Sequence, residues 1–260
     1  MKCREVAEMS NKAKESGIGS KVTKTLIYIF LSFLAVVYLL PLVWVLYVSV
    51  KDDKTLFVSP WEMPERLMIE NYTFAWTAGK LGTATLNSAI VCFVTLILCL
   101  IIGSMAAFAI GRMRWKLASP MMTYFLTGMM IPVHCILIPL FVRFAKINLT
   151  NSLVGLILPY LTLSLPLTIF IMTGFFKGLP NELFESACID GCSIYKIFTH
   201  IAFPLSKTGL FVTGLMSFVA NWNELLLAMV FISDDEMKTL PVSLSKFVGP
   251  YNTNYSQMFA

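Results

Sequence analysis

Few residues of this sequence are of the types that do chemistry, and their spacing does not assemble a catalytic or metal site. His134 and His200 are far apart, and neither has a partner at the spacing of metal ligands. Cys188 and Cys192 are four residues apart, as two ligands on one helix can be, but no second pair completes a zinc site. We therefore expect structural histidines, packed cysteines, and no catalytic residue, metal or cofactor.

Glu224 is a charged residue inside an apolar stretch, so its carboxylate needs a polar partner or a wet cavity. A charge near the middle of a membrane costs roughly 2.5 to 3.5 kcal/mol. With Asn221, Trp222 and Asn223 it forms a polar cluster beside an aromatic ring, which suits sugar hydroxyls and sugar ring faces. Two interpretations stay open: a substrate path, or a structural tie between helices.

The composition shows what surrounds these residues. The chain of 260 residues is 57% hydrophobic and 13% charged, with a mean hydropathy of +0.74, which is not typical of a soluble domain. This excludes a disordered chain, a nucleic-acid-binding domain and an ordinary cytosolic enzyme. The six cysteines are scattered over apolar runs, the polar N-terminus and one loop, so no secreted disulfide framework fits them.

Five apolar runs are long enough to cross a membrane, which takes roughly 20 helical residues. Without water for the backbone, such runs must be helices, and they lack the alternation of barrel strands. The first run is too long for a signal peptide and has no small-residue cleavage site. The sequence thus predicts an all-α integral membrane protein with a multi-span helical bundle at 25–232. The spans lie near 25–50, 83–110, 119–144, 153–176 and 208–232.

The basic residues predict the orientation of the chain. Twelve of the 20 lysines and arginines fall in the tail 1–24, in the connection 111–118 and in the loop 177–207. By the positive-inside rule these segments are cytoplasmic, and the tail 233–260 is external. The net charge of +5 therefore reflects topology and indicates no nucleic-acid partner. We also expect the chain to be cut short after Ala260, within the start of a sixth span.

The loop 177–207 is longer than a turn between two spans requires, which favours a function for it. Pro180 suits a helix start, and Gly191 can adopt the left-handed conformation that ends a helix. About ten helical residues are predicted between them. One side of this helix would carry Leu183, Phe184, Ala187 and Cys188, and the other Asn181, Glu182, Glu185 and Ser186.

The same loop resembles the EAA loop of permeases of ABC importers. The stretch LPNELFESACIDGCSIYKIFTHIAFP at 179–204 follows the family pattern of Glu-Ala-Ala, a Gly four residues on, and Ile-x-Leu-Pro after nine more. The matching positions are Glu185, Ala187, Asp190, Gly191, Ile201 and Pro204. Ser186, Cys192 and Phe203 depart from it by small or apolar replacements. The stretches IPLF at 138–141, GFF at 174–176 and NWNELLLAMVF at 221–231 resemble the carbohydrate-uptake, maltose-type branch.

The resemblance implies a six-helix permease subunit in a bacterial plasma membrane. Its implied partners are membrane lipid, two ABC ATPase subunits, a second homologous permease, and an extracellular or periplasmic solute-binding protein. Because no Gly-rich phosphate loop is present, ATP hydrolysis would belong to a separate chain. The residues implied to engage the ATPase are Leu183, Phe184, Glu185, Ala187, Cys188, Asp190 and Gly191. The apolar ones could instead pack on their own helix ends, and Glu185 could be solvated.

Further alternatives remain at this point. The external segment carrying Pro241, Gly249 and Tyr251 would reach toward the binding protein, or serve only as a connector. An ion-coupled carrier working without an ATPase, with Glu224 as its ion site, would leave the long loop unexplained. A membrane enzyme acting on lipids would need a convergent acid, base or metal set, and the sequence shows none.

Overall fold

The computed structural model of the protein describes residues 2–59, 61–64, 66–113, 115–249 and 254–260, with side chains described from residue 21 onward except at 54 and 57. Helices make up 78% of the chain, which confirms the predicted all-α fold. The α-helices of these ranges are α1 (Lys2–Ser49), α2 (Asp53–Val58), α3 (Glu70–Ala78), α4 (Leu81–Arg112), α5 (Ala118–Met129), α6 (Val133–Lys146), α7 (Leu153–Lys177), α8 (Asn181–Ile189), α9 (Ile194–Ile197), α10 (Phe203–Leu205), α11 (Lys207–Trp222), α12 (Leu226–Phe231), α13 (Leu240–Leu244) and α14 (Tyr255–Phe259). A π-helix at Phe198–Ala202 and a 3-10 helix at Ser245–Phe247 join them.

Three helices of the described chain are long and apolar enough to cross a membrane by themselves: Lys21–Ser49, Leu81–Arg112 and Leu153–Lys177. Two bent pairs bring the number to five if each pair is one span. They are Ala118–Met129 with Val133–Lys146, bent by 92°, and Ile194–Leu205 with Lys207–Trp222, bent by 75°.

Proline chemistry accounts for the first bend. Pro132 has extended ψ of 129° and immediately precedes α6, and the residue before a proline disfavours helical geometry, so α5 ends ahead of it. The second bend lies at Ser206, whose ψ of 22° is not helical. Two residues earlier is Pro204, which has no N–H to donate and whose ring crowds the carbonyl four residues before it; the widened π-turn at Phe198–Ala202 ends two residues before this proline. The predicted span 208–232 is interrupted in the structure, because α11 ends at Trp222 and α12 begins at Leu226.

The chain divides into two compact units, of which the first is Met1–Phe74 with Pro250–Ala260. Its main element is α1, which is polar at 2–24, mainly apolar on all sides at 26–48, and contacts α14. Asn71 provides hydrogen-bond donors at the end of α1. Its side-chain amide donates to the carbonyls of Ser49 and Lys51, both at 2.9 Å. Carbonyls at a helix end lack partners within the helix, so this amide stabilises the terminus.

The second unit, Ala75–Gly249, is built on the parallel pair α4 and α7. Small residues at intervals of four, Gly103, Ala107 and Gly111, let the two helices approach closely. A Cβ added at Gly103 would lie 2.5 Å from Cγ2 of Thr168 on α7, which leaves no room for a larger side chain. Helix α11 runs antiparallel and packs against both, and α5 packs against α7.

Two hydrophobic cores occupy the opposite ends of this helix pair. The α12 core consists of Val91, Leu156, Ile157, Tyr160, Leu227, Ala228, Phe231, Ile232 and Val242. The α8 core consists of Ala107, Phe108, Ile110, Ile169, Met172, Phe176, Ala187, Ile197 and Ala202. The α8 core brings residues of the loop 177–207 against the ends of α4 and α7. The helix in that loop is therefore part of the folded unit.

Candidate functional site

The helix expected in the loop 177–207 is α8, and a defined motif ends it. Gly191 has a φ of +74°, the left-handed conformation that glycine adopts without strain. The N–H of Cys192 donates to the carbonyl of Ala187 at 2.9 Å, and the N–H of Gly191 donates to that of Cys188 at 3.1 Å. These two bonds form a Schellman motif. The chain thus turns back sharply, and Cys192 packs against the α8 core that contains Ala187.

The inner face of α8 is seated on the protein's own helices. Ala187 is 5% exposed, and Phe184 is half-buried against the α8 core with its ring 6.3 Å from that of Phe108. Two of the apolar residues expected to enter an ATPase groove therefore pack inward. This matches the alternative that the sequence left open, in which they pack on their own helix ends.

The outer face of α8 is acidic with one large apolar side chain. Glu182, Glu185 and Ile189 follow one another at intervals of three and four, so they share a stripe of the helix. Ile189 is 86% exposed and both carboxylates are exposed. Leu183, at 41% exposure, borders this face, and Cys188 is exposed as well. Asp190, the residue after α8, is also exposed.

Arg112, the last residue of α4, binds α8 to the end of α7. Its Nε donates to the carbonyl of Phe176 at 2.6 Å, and one terminal nitrogen donates to the side-chain oxygen of Asn181 at 2.5 Å. The other terminal nitrogen donates to the carbonyls of Lys177, at 3.3 Å, and Leu179. In the sequence this arginine is marked only as one of the charges that predict the topology, although a basic residue in the last turn of a helix is a known capping signal.

The four residues at 221–224 make separate contacts with different partners. The carboxylate of Glu224 accepts a hydrogen bond from the hydroxyl of Tyr160 at 2.6 Å and from the N–H groups of Leu227 and Ala228 at 2.8 and 3.2 Å. It therefore joins α7 to the start of α12. The carboxylate is thus held by three donors of the protein itself, and the ion-carrier alternative is not favoured.

The other members of that cluster face in different directions. Asn221 is buried, and its side-chain oxygen accepts from the hydroxyl of Ser164 on α7 at 3.4 Å. Trp222 stacks on Phe218, with ring centroids 5.5 Å apart. Asn223 is exposed and donates to a carbonyl of its own helix, that of Val219. Glu224 and Asn221 thus form hydrogen bonds with α7, whereas Trp222 and Asn223 interact with residues of α11.

The segment after α12 is an ordered cap on the α12 core. The side-chain oxygen of Asn151 accepts from the N–H of Ser233 at 2.6 Å and from that of Asp234 at 3.1 Å. The N–H of Leu240 donates to the hydroxyl of Ser88 on α4 at 2.8 Å. Pro241, in the first turn of α13, and Gly249 are half-buried, and Tyr251 lies outside the described residues.

Charged side chains fasten this cap on its exposed surface. Asp235 accepts from the ammonium groups of Lys238 at 2.6 Å and Lys246 at 2.7 Å. These two hydrogen bonds lower the pKa of Asp235 from 3.8 to about 2, because they stabilise the ionised carboxylate. Glu236 pairs with Lys80, and that hydrogen bond raises the pKa of the Lys80 ammonium.

Comparison with known proteins identifies the family. The sequence pattern of the family described as "Binding-protein-dependent transport system inner membrane component" matches residues 99–254. A putative ABC transporter permease protein from Caldicellulosiruptor sp. is 35% identical over 92% of this chain and 87% of its own length. The sulfoquinovosyl glycerol transport system permease of Agrobacterium fabrum is 33% identical over 94% of this chain and 86% of its own.

Two further likenesses extend the comparison. The trehalose/maltose transport system permease of Thermococcus litoralis is 32% identical over 83% of this chain and 78% of its own length. The fold is similar to a crystal structure of a bacterial ABC transporter involved in the import of the acidic polysaccharide alginate. That match has a TM-score of 0.76 at 17% identity and covers 92% of this chain and 89% of the other.

Proposed function

We propose, because the chain belongs to the family described as "Binding-protein-dependent transport system inner membrane component", that it is the permease subunit of an ATP-driven importer of a sugar or an oligosaccharide. The chain is a multi-pass membrane protein and a transport subunit. The sugar is supported by relatives whose names refer to sulfoquinovosyl glycerol and to trehalose and maltose. The residues resembling the EAA loop support coupling to an ATPase.

The observation that carries this proposal is the outer face of α8. The stripe presents one isoleucine at 86% exposure beside two exposed carboxylates, an apolar centre with a charged rim of the kind that a partner's surface covers. The inner face is seated in the α8 core and its last turn is closed by the Schellman motif. The helix is therefore a firm projection, as a lever driven by a partner must be.

The exposed side chains of α8 are the ones proposed to contact the ATPase. Ile189, Leu183 and Cys188 would enter an apolar groove of the ATPase, and Glu185 would meet a basic or donor group at its rim. Phe184 and Ala187 hold the helix from within, while Asp190 and Gly191 set the turn that follows it. ATP hydrolysis is assigned to that separate ATPase chain, because this chain carries no phosphate loop.

The remaining partners and the orientation belong to the same proposal. Three single helices and two bent helix pairs make the five crossings of the membrane. The N-terminus and α8 lie in the cytoplasm, and the cap at 233–249 faces the exterior. There a solute-binding protein would approach the exposed charges of the cap. A second, related permease completes the path in the membrane, and the cluster at 221–224 serves as a tie between α11, α12 and α7.

Reconstitution of the whole complex tests this function. Vesicles containing the permease pair and its ATPases should take up sugar only when ATP and a sugar-loaded binding protein are supplied. A panel of sugars, amino acids and peptides offered to the binding protein identifies the solute class. Uptake driven by an ion gradient without ATP, or uptake of an amino acid or peptide alone, would contradict the proposal.

A pair of matched variants tests the outer face of α8. Ile189→Asp should prevent the ATPase from co-purifying, because a third carboxylate would enter the apolar contact. Ile147→Asp is the control, since Ile147 is also exposed, at 62%, but lies just after α6 on the side proposed to be external. Equal loss of ATPase in both variants, or in neither, would count against α8 as the contact.

A further inference from the structure

We propose that Arg112 is the positioning residue that makes α8, α4 and α7 move as one body, so that a displacement of α8 reaches both membrane helices together. This inference rests on the proposed function, in which an ATPase displaces α8. In this proposal, the side chain of Arg112 transmits the displacement of α8 to the membrane helices α4 and α7.

The acceptors of Arg112 come from α7, from α8 and from the connection between them. The carbonyls of Phe176 and Lys177 belong to the last turn of α7, where carbonyls have no partner within the helix. The carbonyl of Leu179 belongs to the connection after α7, and the side-chain oxygen of Asn181 to the first residue of α8. Because Arg112 itself ends α4, one guanidinium joins three helices.

A contact with an aromatic ring of α8 also holds the guanidinium. Its Cζ lies 4.4 Å from the centroid of the Phe184 ring, an arrangement that attracts a cation to the face of an aromatic ring. Phe184 is one turn beyond Asn181 on α8, so Arg112 touches α8 at two points. Two points of attachment restrain the rotation of a short helix, whereas a single point restrains only its position.

Lysine could not make the same connections. The guanidinium is planar and offers five N–H donors in fixed directions, here toward α7 on one edge and α8 on the other. The ammonium of lysine is a compact charge on a flexible stem, which can serve one of these acceptors well. Arg112→Lys therefore keeps the positive charge that orients the chain in the membrane but loses the connection between the helices.

The covalent chain offers little to replace this connection. Only residues 178–180 separate α7 from α8, and after α8 the chain turns at Gly191. A three-residue connection keeps the helix ends near each other but does not by itself set the angle between them. The angle is the quantity that a lever must hold.

The test uses the assembled complex in proteoliposomes and measures substrate taken up per ATP hydrolysed. Wild type must first show ATP-dependent uptake, and its failure there would refute the proposed function without bearing on Arg112. Arg112→Lys and Arg112→Gln should insert and assemble, yet lower the ratio by about tenfold, as expected for the loss of a charge-assisted hydrogen bond. Lys116→Gln, which removes an exposed charge from the same connection, should keep the wild-type ratio.

A spin label gives a second readout, which a role in topology or stability alone would not change. Placed on Ser186→Cys of α8 in a background without native cysteines, the label should become more mobile in Arg112→Lys than in Lys116→Gln. If Arg112→Lys fails to assemble, Asn181→Ala removes only the acceptor on α8 and should show the same increase with a smaller fall in the ratio. A wild-type ratio and wild-type label mobility in whichever of these variants assembles would overturn the proposal.

Discussion

Replacing Gly191 by alanine isolates the backbone requirement of the turn after α8. No atom outside its immediate neighbours lies within 4 Å of the position that a Cβ would occupy, so a methyl group meets no clash. The cost comes from the φ of +74°, which disfavours an L-residue by about 1 to 2 kcal/mol. That corresponds to a change of roughly 5 to 30 fold in the equilibrium between a closed and an open turn.

The expected result is a fall of roughly 5 to 30 fold in uptake per ATP hydrolysed for Gly191→Ala in the reconstituted complex. Gly191→Asn should lose less, because asparagine tolerates the left-handed region better than other residues that carry a side chain. Gly174→Ala in α7 is the control, since its Cβ also meets nothing within 4 Å and its φ is not left-handed. If Gly191→Ala assembles and couples like wild type and like Gly174→Ala, the turn is not required for coupling and the reasoning fails.

Two further predictions concern helix packing and the exposed cap. Gly103→Val should destabilise the contact between α4 and α7 by about 1 to 3 kcal/mol, because its Cβ would lie 2.5 Å from Cγ2 of Thr168. Thermal unfolding in detergent should show a lower midpoint for this variant than for wild type and for the control Gly128→Ala. An unchanged midpoint for Gly103→Val would contradict the close packing of the two helices. Asp235→Asn should loosen the cap only where the carboxylate is ionised. Because its pKa is lowered from 3.8 to about 2 in the folded protein, its stabilisation is present above about pH 4 and is lost as the pH falls toward 2. Hydrogen exchange of residues 233–239 should therefore differ between variant and wild type at pH 6 but hardly at pH 2, and an equal difference at both would refute the assignment.

The position of α8 along the chain could be predicted from local signals, but its orientation could not. Pro180 and Gly191 mark its two ends, and the periodicity divides it into an apolar and an acidic face. Which face meets a partner depends on what the rest of the protein already covers. The α8 core covers Phe184 and Ala187, and this core is formed by residues far away in the sequence.

The residues that hold the site together were missed for a related reason. Arg112 is a single basic residue at a helix end, and Asn151 is one polar residue in a turn. Each acts on groups distant along the chain: Arg112 on Phe176 to Asn181, and Asn151 on Ser233 and Asp234. A pattern of residue types shows a polar side chain but not the distant group with which that side chain will form a hydrogen bond.

The sequence by itself determined the class of fold and the family. Long apolar runs can only be helices in a membrane, because the backbone has no water to bond to. The spacing from Glu185 to Pro204 is specific enough to indicate a resemblance to the EAA loop of the family. Only the tertiary structure decided that the carboxylate of Glu224 accepts a hydrogen bond from Tyr160, and that Ile189 is exposed on the outer face of α8. Such roles depend on which surfaces remain free after distant helices have packed, and packing is a property of the whole chain.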